Sequence, residues 1–165
     1  MTGWVSPALD EEEFAAMTAI EPGIPRYMRE QLAAWITDKC GGTSYLDVSI
    51  PRALTLVFKV SFPEYGGDFR RHLEDMDDKV LVSVIDWLLY HNIRSLASNY
   101  DHLNVILGLG RSEWTITEVE KGKPRMSRRI PSGVDQAYRD VVSKTEAAGG
   151  LLAEAFNAVY GAQPN

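Results

Sequence analysis

The sequence has few of the residues on which many catalytic and metal sites depend. It contains one cysteine, Cys40, and three histidines among 165 residues. A single cysteine excludes an intrachain disulfide and a cysteine-rich zinc site, and it is typical of a reducing compartment. We therefore interpret Cys40 as a small buried hydrophobic residue near a helix end.

The motifs of common enzyme classes are also missing. His72, His91 and His102 lie far apart, and none belongs to an HExxH pair or a His/Cys cluster. The sequence has no P-loop and no GxSxG elbow, and Gly108 and Gly110 follow a predicted helix without the third glycine of a dinucleotide-binding loop. We expect no metal and no cofactor, and a non-enzymatic role is favoured.

Long apolar runs and an excess of basic residues are absent as well. No apolar run reaches about 18 residues, and the N-terminus lacks a basic region followed by an apolar one, so neither a membrane span nor a signal peptide is predicted. The net charge of -6 argues against a general nucleic-acid binder. We expect a protein of the bacterial cytoplasm, with enough apolar residues for a core.

What the sequence does contain is helical periodicity. Residues 77–90, DDKVLVSVIDWLLY, are apolar on two adjoining stripes, which predicts a central helix buried on most sides. Asp77 suits its N-terminus, and His91 with Asn92 suits its end. Asp86 is the only charge inside the apolar run. We expect it on a narrow solvent strip or paired with a buried donor, because burying it unpaired costs several kilocalories.

Other stretches extend this pattern to most of the chain. Helices are predicted at 26–39, at 51–60, from an Asp68 N-cap, at 93–107, and from Ser132 with a break at 149–150. A buried strand remains the alternative at 51–60, because that segment is rich in β-branched residues. Residues 1–22 are interpreted as an arm or short helix, and 23–165 as the helical domain.

After Gly110 the apolar pattern changes from helical to alternating. Trp114 and Ile116, a turn at 120–124, and a return through Met126 predict a hairpin near residues 113–130. The predicted fold is therefore mainly α, a single-domain helical bundle with one small β-hairpin. Trp114, Ile116 and Ile130 are expected to anchor the hairpin on the helices.

The hairpin carries a basic cluster inside an acidic chain. We predict that its cations form an exposed partner-binding tip, in which Arg125→Glu with Arg128→Glu leaves stability nearly unchanged. The alternative is that these charges only protect edge strands from aggregation. The predicted site residues are Lys121, Lys123, Arg125, Arg128 and Arg129.

A second polar motif lies at Arg94 to His102, RSLASNYDH. It resembles the Arg-plus-His pair of HEPN-type ribonucleases, which place four to six residues between the two, whereas seven intervene here. On one helix the pair is about 80 degrees and about 12 Å apart, which is a poor catalytic geometry. A HEPN-like ribonuclease is therefore the second alternative function.

The order of elements resembles a known family. The motifs are the segment with Pro25, Met28, Arg29, Leu32, Trp35 and Ile36, the VLVSVIDWLL helix, RSEWTITEV, MSRRIPSGVDQAY, and the Ala-rich stretch from Leu151 to Pro164. Together they resemble the fourth class of N-terminal domains of AbiJ-type abortive-infection proteins, from bacteria and phages. In that family a HEPN effector usually follows, and this sequence ends where it would begin. The resemblance implies a module without the catalytic part.

Two non-enzymatic functions are consistent with these observations. The first is a protein-interaction module of a phage–host conflict system, with a protein partner, possible homo-oligomers and no membrane. The alternative is a phage structural or assembly protein, located in the virion. The neighbouring genes would distinguish these two functions, since virion genes would indicate the assembly protein and defence genes the interaction module.

Overall fold

A computed structural model describes residues 3–129 of the chain. These residues fold mainly as α-helices, followed by a two-stranded antiparallel hairpin. The helices are α1 (Glu11–Thr18), α2 (Arg26–Lys39), α3 (Ser49–Phe58), α4 (Gly66–Asp75), α5 (Asp78–Tyr90) and α6 (Asp101–Leu109), and the strands are β1 (Trp114–Glu120) and β2 (Lys123–Arg128). The prediction of a mainly α fold with one hairpin is confirmed.

The central helix of the core is α5. Leu81, Val84, Ile85 and Leu88 are almost completely buried on it, and Asp77 caps its start by accepting from the Lys79 amide. Burial of such side chains is worth about 1.5–3 kcal/mol each. The prediction for this segment is confirmed, and α4 ends before it, at Asp75.

Helix α2 matches its predicted limits and packs against α4 and α6. Its buried face contains Met28, Leu32 and Ile36. From the same helix, half-buried Arg29 donates to the carbonyls of Glu74 and Met76. These carbonyls lie at the end of α4, where helix geometry leaves acceptors without partners, so Arg29 joins the two helices.

Two predictions on helix starts are corrected. Helix α3 covers residues 49–58 instead of the predicted 51–60, so the strand alternative is wrong. Pro51 lies in its first turn, where its missing N–H costs nothing. Helix α4 begins at Gly66 and not after an Asp68 cap. A Cβ on Gly66 would lie 2.3 Å from the Cα of Thr43, so close packing of two backbones determines this start.

The predicted helix at 93–107 is only partly correct. Two 3₁₀ turns, Ile93–Ser95 and Ala97–Asn99, precede α6, which ends at Leu109. Asn92 and Arg94 have φ values of 47° and 49°, a left-handed conformation that an α-helix does not contain. The Asn92 side chain accepts from the Ala97 amide and stabilises this bend.

The N-terminal segment forms the predicted short helix. Asp10 and Glu13 make a reciprocal capping box at the start of α1, and no residue of α1 is buried. Within residues 3–129 no helix is long and apolar enough to cross a membrane. The proposed anchor Ile130, the helices predicted after Ser132, and the last motifs of the family resemblance lie outside the described residues.

Candidate functional site

Polar side chains from two helices hold the hairpin along both of its edges. Ile116 and Met126 face each other across the ladder. The Ile116 amide donates to Asn104 Oδ1 of α6 at 2.9 Å, and the Met126 amide donates to Asp86 Oδ1 of α5 at 2.9 Å. Because both amides point outward, each side chain takes the place of a neighbouring strand and blocks the edge.

Asn104 makes two further bonds to the β1 edge. Its Nδ2 donates to the Ile116 carbonyl at 3.2 Å, and its Oδ1 also accepts from the Thr115 hydroxyl at 3.0 Å. On β2, Pro124 is paired with Glu118, two positions from the Ile116–Met126 pair. Along a strand, backbone N–H groups point alternately toward the partner strand and away from it. An N–H at Pro124 would therefore point outward, as that of Met126 does, so the proline costs no hydrogen bond between the strands.

Asp86 is the main anchor of β2. Its carboxylate accepts from Arg125 Nε at 2.9 Å and Nη2 at 2.6 Å, in addition to the Met126 amide. The Arg125 guanidinium also lies 5.3 Å from the centroid of the Tyr90 ring. The hydrogen bond to Asp86 raises the pKa of Arg125. The prediction that Asp86 is paired is confirmed, but its donor Arg125 is half-buried and not fully buried.

The open end of the hairpin has a second ion pair. Arg128 Nε lies 3.2 Å from Glu113 Oε1, and its guanidinium is 4.9 Å from the Trp114 ring centroid. The Glu113 carboxylate also accepts from the Gly23 amide, which connects the hairpin to the segment before α2. Arg129 is half-buried beside Arg111, and burial, followed by repulsion from Arg111, lowers the pKa of Arg129.

The five predicted site residues therefore do not form one exposed basic tip. Arg125 and Arg129 are half-buried, and Arg128 is in an ion pair at the far end from the turn. Only Lys121 and Lys123 are exposed at the turn, where Lys123 lies 3.8 Å from Glu120 with both side chains more than two-thirds exposed. Lys121, Lys123 and Arg128 are exposed, whereas Arg125 and Arg129 are half-buried, so the expectation of a mostly exposed tip holds only in part. The reason is that residues of an extended strand are spread over its length and meet different neighbours.

A groove of about 460 Å³ separates the turn of the hairpin from the end of α5. Apolar side chains from both walls line it, among them Tyr90, which is 66% exposed, and Val119, which is 75% exposed. Lys123 and Arg125 line the hairpin side. The remaining lining residues are Leu89, Asn92, Ala97, Ser98, Glu120, Gly122 and Pro124. The groove thus combines apolar surface with two cations and the Glu120 carboxylate on the hairpin wall.

Comparisons with known proteins do not help to assign a role to this groove. No protein-family model, curated protein or solved structure matches the chain. The role of the groove is therefore argued from its side chains. Sequence reasoning identified Lys123 and Arg125 in it but missed Tyr90 and Val119. The signal for Tyr90 was its place at the end of an apolar helix, just before the predicted stop.

The motif with Arg94 and His102 has structural partners instead of a shared catalytic contact. Arg94 Nε donates to the Lys39 carbonyl at 3.2 Å, and the His102 ring stacks on Trp35 with centroids 5.1 Å apart. Within residues 3–129 no hydrogen bond joins Arg94 to His102. The assumption that one helix carries both was wrong, because left-handed residues precede α6. Both side chains nevertheless lie against the last turns of α2.

Other reactive groups in the described part of the chain are built into the fold. Cys40 is fully buried as predicted, and burial raises the pKa of its thiol to about 12. A second cavity, of about 350 Å³, lies between the starts of α2 and α5 and the end of α4. Its charges already pair, Arg26 with Asp75 and Arg29 with Asp78. Across residues 3–129 no group of His, Cys, Asp and Glu is suited to hold a metal ion.

Proposed function

We propose that this chain is a non-enzymatic protein-interaction module of a phage–host conflict system, and that its hairpin groove binds a short segment of a partner protein. The observation that carries the proposal is the groove itself, which places exposed Tyr90 and Val119 beside Lys123 and Arg125. Aromatic side chains with adjacent cations are the groups that contribute most to protein interfaces.

The charges of the hairpin turn indicate the chemistry of the partner segment. Lys121 has no ion-pair partner among residues 3–129, and Lys123 has only a distant, exposed one in Glu120. The whole chain has a net charge of -6, whereas residues 118–125 carry three cations, Lys121, Lys123 and Arg125, against two carboxylates, Glu118 and Glu120, so this segment is slightly basic. Such a feature attracts acidic segments and disfavours basic ones. The segment we propose therefore alternates acidic with apolar side chains.

The phage–host context is supported by the resemblance of the sequence motifs to AbiJ-type N-terminal domains. The absence of a recognisable catalytic motif is consistent with an interaction role, and the Arg94 and His102 contacts give no support to the ribonuclease alternative. A location among virion genes would favour the phage assembly alternative, and a location among defence genes would favour the proposed function.

The test uses fluorescence anisotropy with labelled peptides of about ten residues that alternate Asp or Glu with Leu, Phe or Tyr. The protein should bind the acidic set and not a matched Lys set, and binding should weaken from about 0.05 M to about 0.5 M salt. Lys121→Glu with Lys123→Glu should remove binding. Val119→Asp should do the same, because it places a carboxylate on the apolar wall.

The matched control is Lys59→Glu with Lys79→Glu, which makes the same charge change at two exposed lysines outside the groove. This variant should keep most of the affinity. Equal loss in the control and in the groove variant would show that only overall charge matters. Binding that survives both groove variants would place the partner on another surface and overturn the proposal.

A further inference from the structure

A second surface of the molecule, remote in sequence from the hairpin, exposes large apolar side chains. They belong to the loop before α3, to α3 itself and to the loop that leads into α4. Their exposed fractions run from 37% to 86%, for Tyr45, Val48, Leu56, Val57, Val60 and Tyr65. We refer to these six residues, with Arg52 and Glu64 between them, as the α3 surface.

Two contacts bring these segments onto one face. Arg52 donates to both carboxylate oxygens of Glu64, each at 3.0 Å, which joins α3 to the following loop. Gly66 packs against the backbone of Thr43, which brings the loop with Tyr65 beside the loop with Tyr45. On α3, Arg52 and Leu56 are four residues apart and therefore adjacent on the helix surface.

The fold does not require this apolar face. Helix α3 already buries its inner side through Ile50, Pro51 and Leu54. Single exposed apolar residues are ordinary on protein surfaces, but a cluster with two tyrosines and a central arginine has the composition of an interface. A lysine or glutamate in place of the exposed Leu56 would be equally compatible with the helix. The exposed apolar side chains therefore indicate a binding partner.

We propose that the α3 surface binds a second copy of the same chain in a two-fold dimer. Residues 45–65, which contain the α3 surface, carry two cations, Arg52 and Lys59, and two carboxylates, Asp47 and Glu64, so this stretch has no net charge although the chain is acidic. The Arg52 and Glu64 side chains remain 63% and 44% exposed. A neutral face with a paired Arg and Glu is self-complementary. Around a two-fold axis, Arg52 of each copy meets Glu64 of the other.

The first test measures mass by sedimentation equilibrium from about 1 µM to about 500 µM. The unmodified protein should pass from monomer to dimer in this range. Leu56→Glu with Tyr65→Ala should remain monomeric at every concentration. Both side chains are more than three-quarters exposed, so the circular dichroism spectrum and Tm of this variant should stay unchanged.

A matched control has the same kinds of change in the hairpin groove. Val119→Glu with Tyr90→Ala alters a branched apolar residue and a tyrosine of similar exposure, and it should dimerise normally. Because this control disrupts the groove, it also separates the two proposals. A protein that is monomeric throughout, or a dimer that survives Leu56→Glu with Tyr65→Ala, overturns the inference and leaves the α3 surface to a different partner.

A charge-exchange experiment tests the two-fold arrangement. Arg52→Glu alone and Glu64→Arg alone should each dimerise at least tenfold more weakly, because like charges meet across the axis. An equimolar mixture of the two variants should form a heterodimer, since each copy then supplies the charge that the other lacks. Neither variant regains its internal ion pair, so recovery in the mixture reports a contact between copies. A mixture that stays monomeric contradicts the arrangement.

Discussion

Along β2, arginines pair with carboxylates and lie against aromatic rings, whereas at the turn, lysines of the same charge extend into solvent. Arg125 binds Asp86 through two nitrogens and Arg128 pairs with Glu113. Lys121 and Lys123 are exposed, and Lys123 has only the distant Glu120. One short basic run therefore contains cations that hold the fold and cations that are available to a partner.

The difference follows the chemistry of the two side chains. A guanidinium is planar, donates through several N–H groups and stacks on aromatic rings, and both arginines make a carboxylate contact and an aromatic contact. An ammonium is a compact, strongly hydrated charge, so it loses more hydration free energy than a guanidinium when it is taken out of water. Within this hairpin, the choice of Arg or Lys thus separates structural from interacting cations.

The largest expected effect comes from reversing the structural cations. Arg125→Glu with Arg128→Glu removes two ion pairs and places carboxylates against Asp86 and Glu113, so we expect a loss of about 3 kcal/mol in the free energy of unfolding. Urea denaturation followed by circular dichroism measures it. The initial expectation of unchanged stability is replaced by this one.

The control for this variant is Lys121→Glu with Lys123→Glu, which makes the same change of charge at the turn. It should unfold at the urea midpoint of the unmodified protein, because exposed charges contribute little to stability. Equal destabilisation by the two variants would contradict the distinction between the arginines of β2 and the lysines at the turn.

A smaller effect is expected at the carboxylate that holds β2. Asp86→Ala leaves Arg125 and the Met126 amide without their acceptor, which should cost about 2 kcal/mol. Arg125→Ala should cost less, because Asp86 retains the Met126 amide. A double-mutant cycle of the two substitutions, measured by urea denaturation, should give a positive coupling energy. Strictly additive losses would show that the pair does not stabilise the fold.

The smallest effect is expected on the opposite edge of the hairpin. Asn104→Ala removes three hydrogen bonds to β1 at a partly solvated position, so we expect a loss of about 1 kcal/mol. Amide hydrogen exchange should be faster at Ile116 and unaffected at Met126, which Asp86 protects. Val105→Ala, at the exposed neighbouring position on α6, serves as the control. Unaltered exchange at Ile116 would show that β1 is held by other contacts.

The helical elements were predictable to the extent that their causes are local. The limits of α2 and the identity of α5 follow from apolar spacing and from nearby stop signals. The start of α4 was not predictable in this way, because it depends on contact between Gly66 and Thr43, 23 positions apart. The bend before α6 was missed because Arg94 and Ser95 adopt left-handed conformations that their residue types rarely take.

The candidate site also combines local features, which were predictable, with contacts between distant positions, which were not. The basic cluster was visible in the sequence, and Asp86 stood out as a lone charge that needs a donor. That Arg125 is this donor was not visible, since 39 positions separate the two residues. The apolar wall of the groove was also missed, because burial of Tyr90 or Val119 in a core would satisfy the same pattern.

Composition and periodicity alone determined that residues 3–129 form helices and one hairpin, because backbone preference and apolar spacing act over a few neighbouring residues. Tertiary structure decided which cations of the hairpin are available to a partner. Asp86 approaches Arg125 only after α5 and the hairpin have packed together, and no local pattern encodes that approach. Glu113 reaches Arg128 through the strand pairing itself, which places Trp114 opposite Arg128. The division between anchoring arginines and exposed lysines is therefore a property of the folded chain.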